Sequence, residues 1–373
     1  FRYLNKKSYI CANKNKQVMK IKNCILYITL FVISLIPLQG FATQNEGSEE
    51  FNINELIDEH IGDSHDFHLF DYNGHAYSLP LPIILWTDNG LVTFLSSAFH
   101  HDNKGTVVVE KNGQRFVRYK EDIYYANADT PLTFNAQGDV TNARPLNFSI
   151  TKNVVSLMLI SILLLLTFIA VARSYKKNPK APKGLAGLLE PIVIFVRDEI
   201  AIPNIGEKYY NRYMPYLLTV FFLIWVGNLF GLIPFFPFAG TVTNNILFTG
   251  MLALFTLILT LFSSNKHYWQ HIFAPPGVPS WILPIMIPIE ILSVFTKPFA
   301  LMIRLFANMT AGHIIALSLI SLIFIFKSVA IAPVSVAFTV FMQMLELLVA
   351  VLQAYVFTLL SALFIGQAVE ETH

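Results

Sequence analysis

The sequence predicts an all-α polytopic membrane protein of five passes, preceded by a small β-rich soluble domain. Three observations lead there. The chain is 54% hydrophobic and only 13% charged, against roughly 25% charged in ordinary soluble proteins. From Tyr213 to Val369 the only Lys, Arg, Asp or Glu residues are Lys266, Glu290, Lys297, Arg304, Lys327 and Glu346, and apolar runs of such length read as membrane spans. Ahead of them, residues 43–150 are acid-rich and hold short β-prone runs such as "GTVVVEKNGQRFVRYK", with an Asn-Gly hairpin signal at Asn112-Gly113.

Taken in order, residues 1–18 precede the first methionine, Met19, and read as an upstream extension of the frame. Residues 19–42 have a basic start, an apolar run from Cys24 to Leu38 and small residues at Gly40 and Ala42. That is the make-up of a secretory signal peptide. An uncleaved anchor helix is the alternative, although the run is short for a span. Cys11 and Cys24 both lie upstream of the folded part, so no disulfide framework is implied. Residues 43–150 are expected as a periplasmic soluble domain. Its histidines (His60, His65, His68, His75, His100 and His101) fall in no metal-ligand spacing such as H-E-x-x-H, so they read as surface and no metal or cofactor is expected.

The first span is expected at about 153–172, followed at once by the basic run "RSYKKNPKAPK", residues 173–183. The positive-inside rule places that run in the cytoplasm and the preceding domain outside. The run is short and abuts a span, so it does not suggest a nucleic-acid surface. "GLLEPIVIFVRDEIAIPNIGEKYYNRYMPYL" is interrupted too often to span and reads as a helix lying on the cytoplasmic face. Spans follow at about 217–235 and 246–263, joined by the uncharged turn "FPFAGTVTNN". The last two runs, 281–326 and 329–369, would reach about 69 and 61 Å as straight helices, against about 30 Å of hydrocarbon. Each must be broken or strongly tilted. Pro333 is a natural corner between them.

Charges inside these runs are ordered. Glu290, Lys297 and Arg304 are spaced by seven, nearly two helical turns with a drift of about 20°, so they share one stripe. Asn308 continues it one turn on, while Ala311 and Gly312 leave room for close packing. His313 faces elsewhere. Glu346 and Gln353 are again seven apart on the second run. Arginine cannot escape an apolar setting by deprotonating, and an insertion cost of roughly 2.5–3.5 kcal/mol at mid-membrane makes Arg304 a functional candidate.

"PIEILSVFTKPFALMIRLFANMTAGHII" and "LELLVAVLQAYVFTLLSALFIGQAVEE" resemble the two signature regions of subunit a of the F-type ATP synthase, and "FVRDEI" to "VGNLFGLIP" resembles its second-span region. The resemblance covers about 153–371 and leaves residues 43–150 unexplained. It implies two long, strongly tilted helices forming a membrane hairpin against a rotating ring of c subunits. It implies further partners: b subunits of the stator stalk, the F1 head and membrane lipid. By resemblance Arg304 is the essential arginine, Asn308 the polar residue one turn on, Glu290 a carboxylate toward the cytoplasmic exit and Gln353 the glutamine facing the arginine. Many bacterial members carry Glu at the His313 position and His at the Glu346 position. Here the two are exchanged, which suggests that they act as a pair, hydrogen-bonded across the hairpin.

The implied mechanism has a physical basis. A ring carboxylate facing lipid must be protonated, and beside a permanent cation it ionises. Arg304 would then separate two proton half-channels and prevent a short circuit. The chain would couple ion flow to ATP synthesis without catalysing any reaction itself. The alternatives are a stand-alone ion transporter, whose cue of an internal repeat is missing, and an intramembrane hydrolase using His313 and Glu346. Proton is the expected ion, although the ion-binding chemistry would reside mainly on the c subunit.

Overall fold

The computed structural model describes residues 62–72, 75–127, 130–177, 184–232, 242–273, 281–326 and 331–370. The extension and signal peptide expected over 1–42 lie outside the described residues. Strands come first and helices after, and five of the helices are long and apolar enough to cross a membrane.

The β region builds from hairpins. Strands β1 (Asp66–Tyr72) and β2 (His75–Pro80) pair antiparallel, and a second sheet has the order β4-β3-β8 from β3 (Pro82–Thr87), β4 (Gly90–Leu95) and β8 (Leu146–Asn147). A third sheet runs β5 (Lys104–Lys111), β6 (Gln114–Tyr119), β7 (Asp122–Tyr125). The Asn112-Gly113 turn forms between β5 and β6, with φ of 50° and 71°, the paired positive φ that a two-residue hairpin loop demands. Period-two alternation sends Ile83, Leu85 and Val92 inward to meet Phe99, Val109, Phe116 and Ile123. The opposite face of β3 and β4 leaves Trp86 and Leu91 exposed as cross-strand partners.

One charge is sealed inside. Arg118 is 2% exposed; its Nη1 donates to Asp66 Oδ2 at 2.7 Å and lies 4.0 Å from Glu121 Oε2. Its Nε donates to the Asp102 carbonyl at 2.8 Å. Ser96 Oγ donates to the other Asp66 oxygen at 2.6 Å, and His101 Nδ1 stands 3.6 Å from Asp66 Oδ2. Burial alone would push both carboxyls up. The Ser96 hydroxyl and Arg118 instead hold Asp66 below its ordinary 3.8, and His65 and Arg118 hold Glu121 below 4.5. Depressed carboxylates add stability that is fully present above their unfolded values and fades as pH falls through the folded ones. The urea midpoint of β6, followed by hydrogen exchange in the intact protein, should therefore be flat from neutral pH to about 5 and fall below that. A midpoint unchanged down to pH 3 would contradict this account.

No linker separates the sheets from the helices. Ile150 N–H donates to the Pro82 carbonyl at 3.1 Å and Lys152 N–H to the Ser64 carbonyl at 2.9 Å. Helix α1 (Lys152–Lys177) starts there. Its first turn is capped from a distant segment: Asp63 Oδ1 accepts from Asn153 N–H at 3.1 Å and Oδ2 from the Thr151 hydroxyl at 3.0 Å. The same Oδ2 accepts from Asn245 Nδ2 at 3.4 Å. α1 continues past the expected 172 because Arg173 and Lys176 are good helix formers whose long stems reach out of an apolar layer.

Helix α2 (Leu185–Phe195) passes through a π-helical turn, Val196–Ala201, into the short α3 (Ile202–Ile205), which stops at Gly206 with φ 88°. One face packs inward through Val196, Ile200 and Ala201, while Leu185, Leu188, Ile194 and Phe195 stay exposed. That split suits a helix lying at an interface. Helix α4 (Tyr210–Gly231) starts seven residues before the expected span, tolerating Pro215; residues 233–235 of that expectation lie outside the described residues. Helix α5 (Ile246–Ser263) is capped by Asn245, whose side chain accepts from Leu247 N–H at 2.9 Å. The short α6 (Lys266–Phe273) leads to α7 (Leu283–Phe326), a single helix containing Pro288 and Pro298. Pro333 sits in the first turn of α8 (Ala332–Val369), where its missing N–H costs nothing.

α7 and α8 form an antiparallel hairpin, with α8 also packed on α4, α5 and α3. The α8–α3 approach is close enough that a Cβ on Gly366 would overlap the Asn204 carbonyl oxygen. The hairpin is tied at both ends. At the turn end the Ser335 hydroxyl donates to the Leu319 carbonyl. At the other, Lys297 Nζ donates to Gln367 Oε1 at 3.1 Å, and Asn265 donates from its backbone to Ala368 O at 2.9 Å and from Nδ2 to Val369 O at 3.0 Å.

Candidate ion-path site

Two polar features mark the hairpin. The first is a pair sealed between its helices. Glu346 on α8 is 5% exposed, and its Oε1 lies 3.7 Å from Nδ1 of the half-buried His313 on α7. That separation exceeds a hydrogen bond, so the expected direct bond across the hairpin is a close approach instead. Gly312 makes room for it: a Cβ there would overlap Glu346 Oε1 and stand 2.9 Å from its Cδ. Neither Glu346 oxygen, nor His313 Nε2, nor the nearby Thr310 hydroxyl and Gln343 Oε1 has a hydrogen-bond partner among the described residues. Buried polar atoms rarely go unpaired, so this cluster has donors and acceptors left to satisfy.

The second feature is an exposed cation. Leu301, Leu305 and Met309 face inward along α7, which turns Arg304 outward with Ala300, Ile303, Ala307, Asn308 and Ala311. The matching face of α8 is apolar through Phe341, Met344, Leu345, Leu348 and Leu352. Arg304 makes no hydrogen bond or ion pair among the described residues. Small side chains on both sides leave its surroundings open to the backbone of another helix. A guanidinium on a broad apolar face needs an anion, and the described residues do not supply one.

The remaining sequence candidates separate. Gln353 is 3% exposed and points into the interior. No hydrogen bond joins it to Arg304, contrary to the expectation that the two face each other. The antiparallel contacts at His313–Glu346 and Lys297–Gln367 set Gln353 about level with Asn308. Glu290 is half-buried near Tyr268 at the α6 end, and the Lys297 of its stripe turns to α8.

Residues that sequence reasoning passed over join the picture. The turn expected at "TVTNN" is no exposed loop: Val242–Asn244 forms a buried 3-10 turn packed against α1, α4, α5 and α7. There the Thr243 hydroxyl donates to Asn228 Oδ1 at 2.8 Å, while Asn228 Nδ2 and both polar atoms of the Asn244 side chain lack partners. The available signal was an uncharged Asn in the apolar "VGNLF", which a search for charges overlooks. Among the described residues no group of three or more His, Cys, Asp or Glu could hold a metal ion.

A protein-family model described as ATP synthase A chain matches residues 155–366, which takes in both features. The chain belongs to the ATP synthase A chain family. The ATP synthase subunit a of Chloroherpeton thalassium is 50% identical over 230 residues, covering 60% of this chain and 67% of that protein. ATP synthase subunit a 2 of Chlorobaculum tepidum is 53% identical over 230 residues, 60% of this chain and 64% of its own. The ATP synthase subunit a of Myxococcus xanthus is 45% identical over 234 residues, 61% and 75% of the two chains. The matched stretch thus spans about two thirds of the length of the first two relatives. A second family model, a domain of unknown function (DUF8433), matches residues 56–148, a stretch whose described residues carry the three sheets. Within the ATP synthase A chain family, then, this member carries a β region ahead of its helices.

Proposed function

We propose that this chain is the membrane ion-path subunit of an F-type ATP synthase. It offers two half-channels to a ring of c subunits and couples proton flow to ATP synthesis made elsewhere in the complex. The observation that carries the reading is Arg304, unpaired on the exposed apolar face of the α7–α8 hairpin. A ring of acidic helices supplies the missing anion one carboxylate at a time, and the small residues Ala300, Ala307 and Ala311 let those helices come close.

In this scheme each ring carboxylate travels protonated through lipid and ionises beside Arg304, releasing its proton to one path. The next carboxylate reloads from the other path through His313 and Glu346, with Gln343 and Thr310 as flanking polar groups. His313 lies nine residues from Arg304, about 13 Å along the helix, so loading and release are separated in depth. Asn308 and Gln353 keep the level near Arg304 polar, and Glu290 belongs to the release path at the α6 end. The cationic end of α1, Arg173 to Lys177, makes that end cytoplasmic. The β region then lies on the periplasmic side of a bacterial inner membrane, following a signal peptide, and the stator contacts are b subunits and the F1 head.

The test is proximity. With cysteine at Ala307 and at successive positions of the c-subunit acidic helix, disulfide cross-links should form in the assembled complex at the level of the acidic residue. They should be absent when the cysteine is placed at Met309 on the buried face. Equal yields at both positions would refute the ring-facing assignment.

A further inference from the structure

Asp63 belongs to the β region, yet every hydrogen bond it makes goes to the helical part: the Thr151 hydroxyl, Asn153 N–H and Asn245 Nδ2. Its two helical contacts are immediate neighbours of buried polar atoms that the protein leaves unpaired. Asn153 is 6% exposed with Oδ1 unpartnered, and Ser156, one turn deeper on α1, is 2% exposed with an unpartnered hydroxyl. Asn244, beside Asn245, is 8% exposed with both side-chain polar atoms free. From there the unpaired amide of Asn228, fully buried, continues inward, and the 3-10 turn packs onto α7, the helix that carries His313. Buried donors and acceptors of this kind are ordinarily satisfied by water, and the series begins beside a carboxylate.

We propose that Asp63 is the proton-collecting residue at the mouth of the loading path, so that the β region contributes a functional group to ion uptake as well as a cover. The inference rests on the functional reading above. Asp63 takes a proton from solvent on the β side and releases it to the water held by Asn153, Ser156 and Asn244, regaining its charge each cycle. The titratable group that faces it is Lys152 at the start of α1, which also lies within electrostatic reach of Glu121 of the β region, itself 3.7 Å from His65. α5 contributes only the neutral Asn245.

The experiment uses the whole ATP synthase in proteoliposomes, with ATP synthesis measured under a fixed membrane potential and varied pH on the β side. Asp63→Asn keeps an acceptor for Asn153 N–H, puts an amide Nδ2 that can donate to the Thr151 hydroxyl in place of the second oxygen, and removes the titratable group. Relative to the parent it should synthesise at a similar rate at pH 6 and be about tenfold slower at pH 8, where free protons are scarce and a collecting group matters most. Thr151→Val weakens the same strap and keeps the carboxylate, so any loss should be equal at both pH values. A uniform loss in Asp63→Asn, or no loss at either pH, overturns the proposal and leaves Asp63 a structural tie. Failure of the functional reading itself would show separately, as proton-driven synthesis surviving in an Arg304→Ala control.

Discussion

Arg304→Ala abolishes ATP-driven proton pumping in inverted membrane vesicles while leaving the complex assembled. Assembly should survive because Arg304 is exposed and unpaired, so its removal opens no cavity and strands no buried partner. Coupling should not survive. Without a fixed cation, a ring carboxylate arriving from lipid has no reason to ionise, and where water reaches both paths nothing keeps them apart. Each proton that crosses 100 mV without turning the ring forfeits about 2.3 kcal/mol. Arg304→Lys is a sharper variant, since a lysine in an apolar setting can shed its charge whereas an arginine does not. It should pump only weakly, at least tenfold below the parent, and become leakier as pH rises. Vesicle acidification followed by a pH-sensitive dye, with co-purified c subunits as the assembly control, measures both. Parental pumping by the alanine variant would remove Arg304 from the mechanism.

The second large effect concerns the imidazole–carboxylate pair. His313→Glu alone sets two carboxylates against one another in a buried space, and Glu346→His alone sets two imidazoles there. Either change should cut proton conduction by at least tenfold, because one site then holds two groups of the same kind in place of a complementary pair. Exchanging both restores one of each within the same 3.7 Å gap. The double variant should therefore conduct better than either single one. A double-mutant cycle on passive conductance in vesicles stripped of the catalytic head decides the matter: an interaction energy near zero would show that the groups act independently. The glycine beside them sets the geometric limit, since any side chain at Gly312 displaces the Glu346 carboxyl.

What the sequence disclosed and what it hid divide along charge. Arg304, His313 and Glu346 were visible because ionisable residues are rare in long apolar runs, and a seven-residue spacing needs only a helix to become a stripe. The Asn-Gly turn was equally plain. Asn228, Thr243 and Asn244 stayed hidden because neutral polar residues are common at helix ends, and nothing local says that Val242–Asn244 tucks under the helices. For Gln353 only the resemblance named a partner: heptad spacing fixes its face on α8 but not the rotation of α8 against α7, which the packing on α4 and α5 decides. Nothing in the run "GTVVVEKNGQRFVRYK" marks Arg118 as buried, and only the fold brings Asp66 and Glu121 around it. Asp63 was one acid among many in an acid-rich stretch, and its partners lie 88 to 182 positions away along the chain.

The fastenings at the two ends of the hairpin bear on how it withstands load. With Ser335 holding one extremity and Asn265 and Gln367 the other, α8 behaves as a beam pinned at both supports. Its midpoint, near Ala350 and between the levels of Asn308 and His313, has the longest lever arm from either. A sideways load at mid-length is thus passed outward to the anchored tips and on into α7 and the α5–α6 junction.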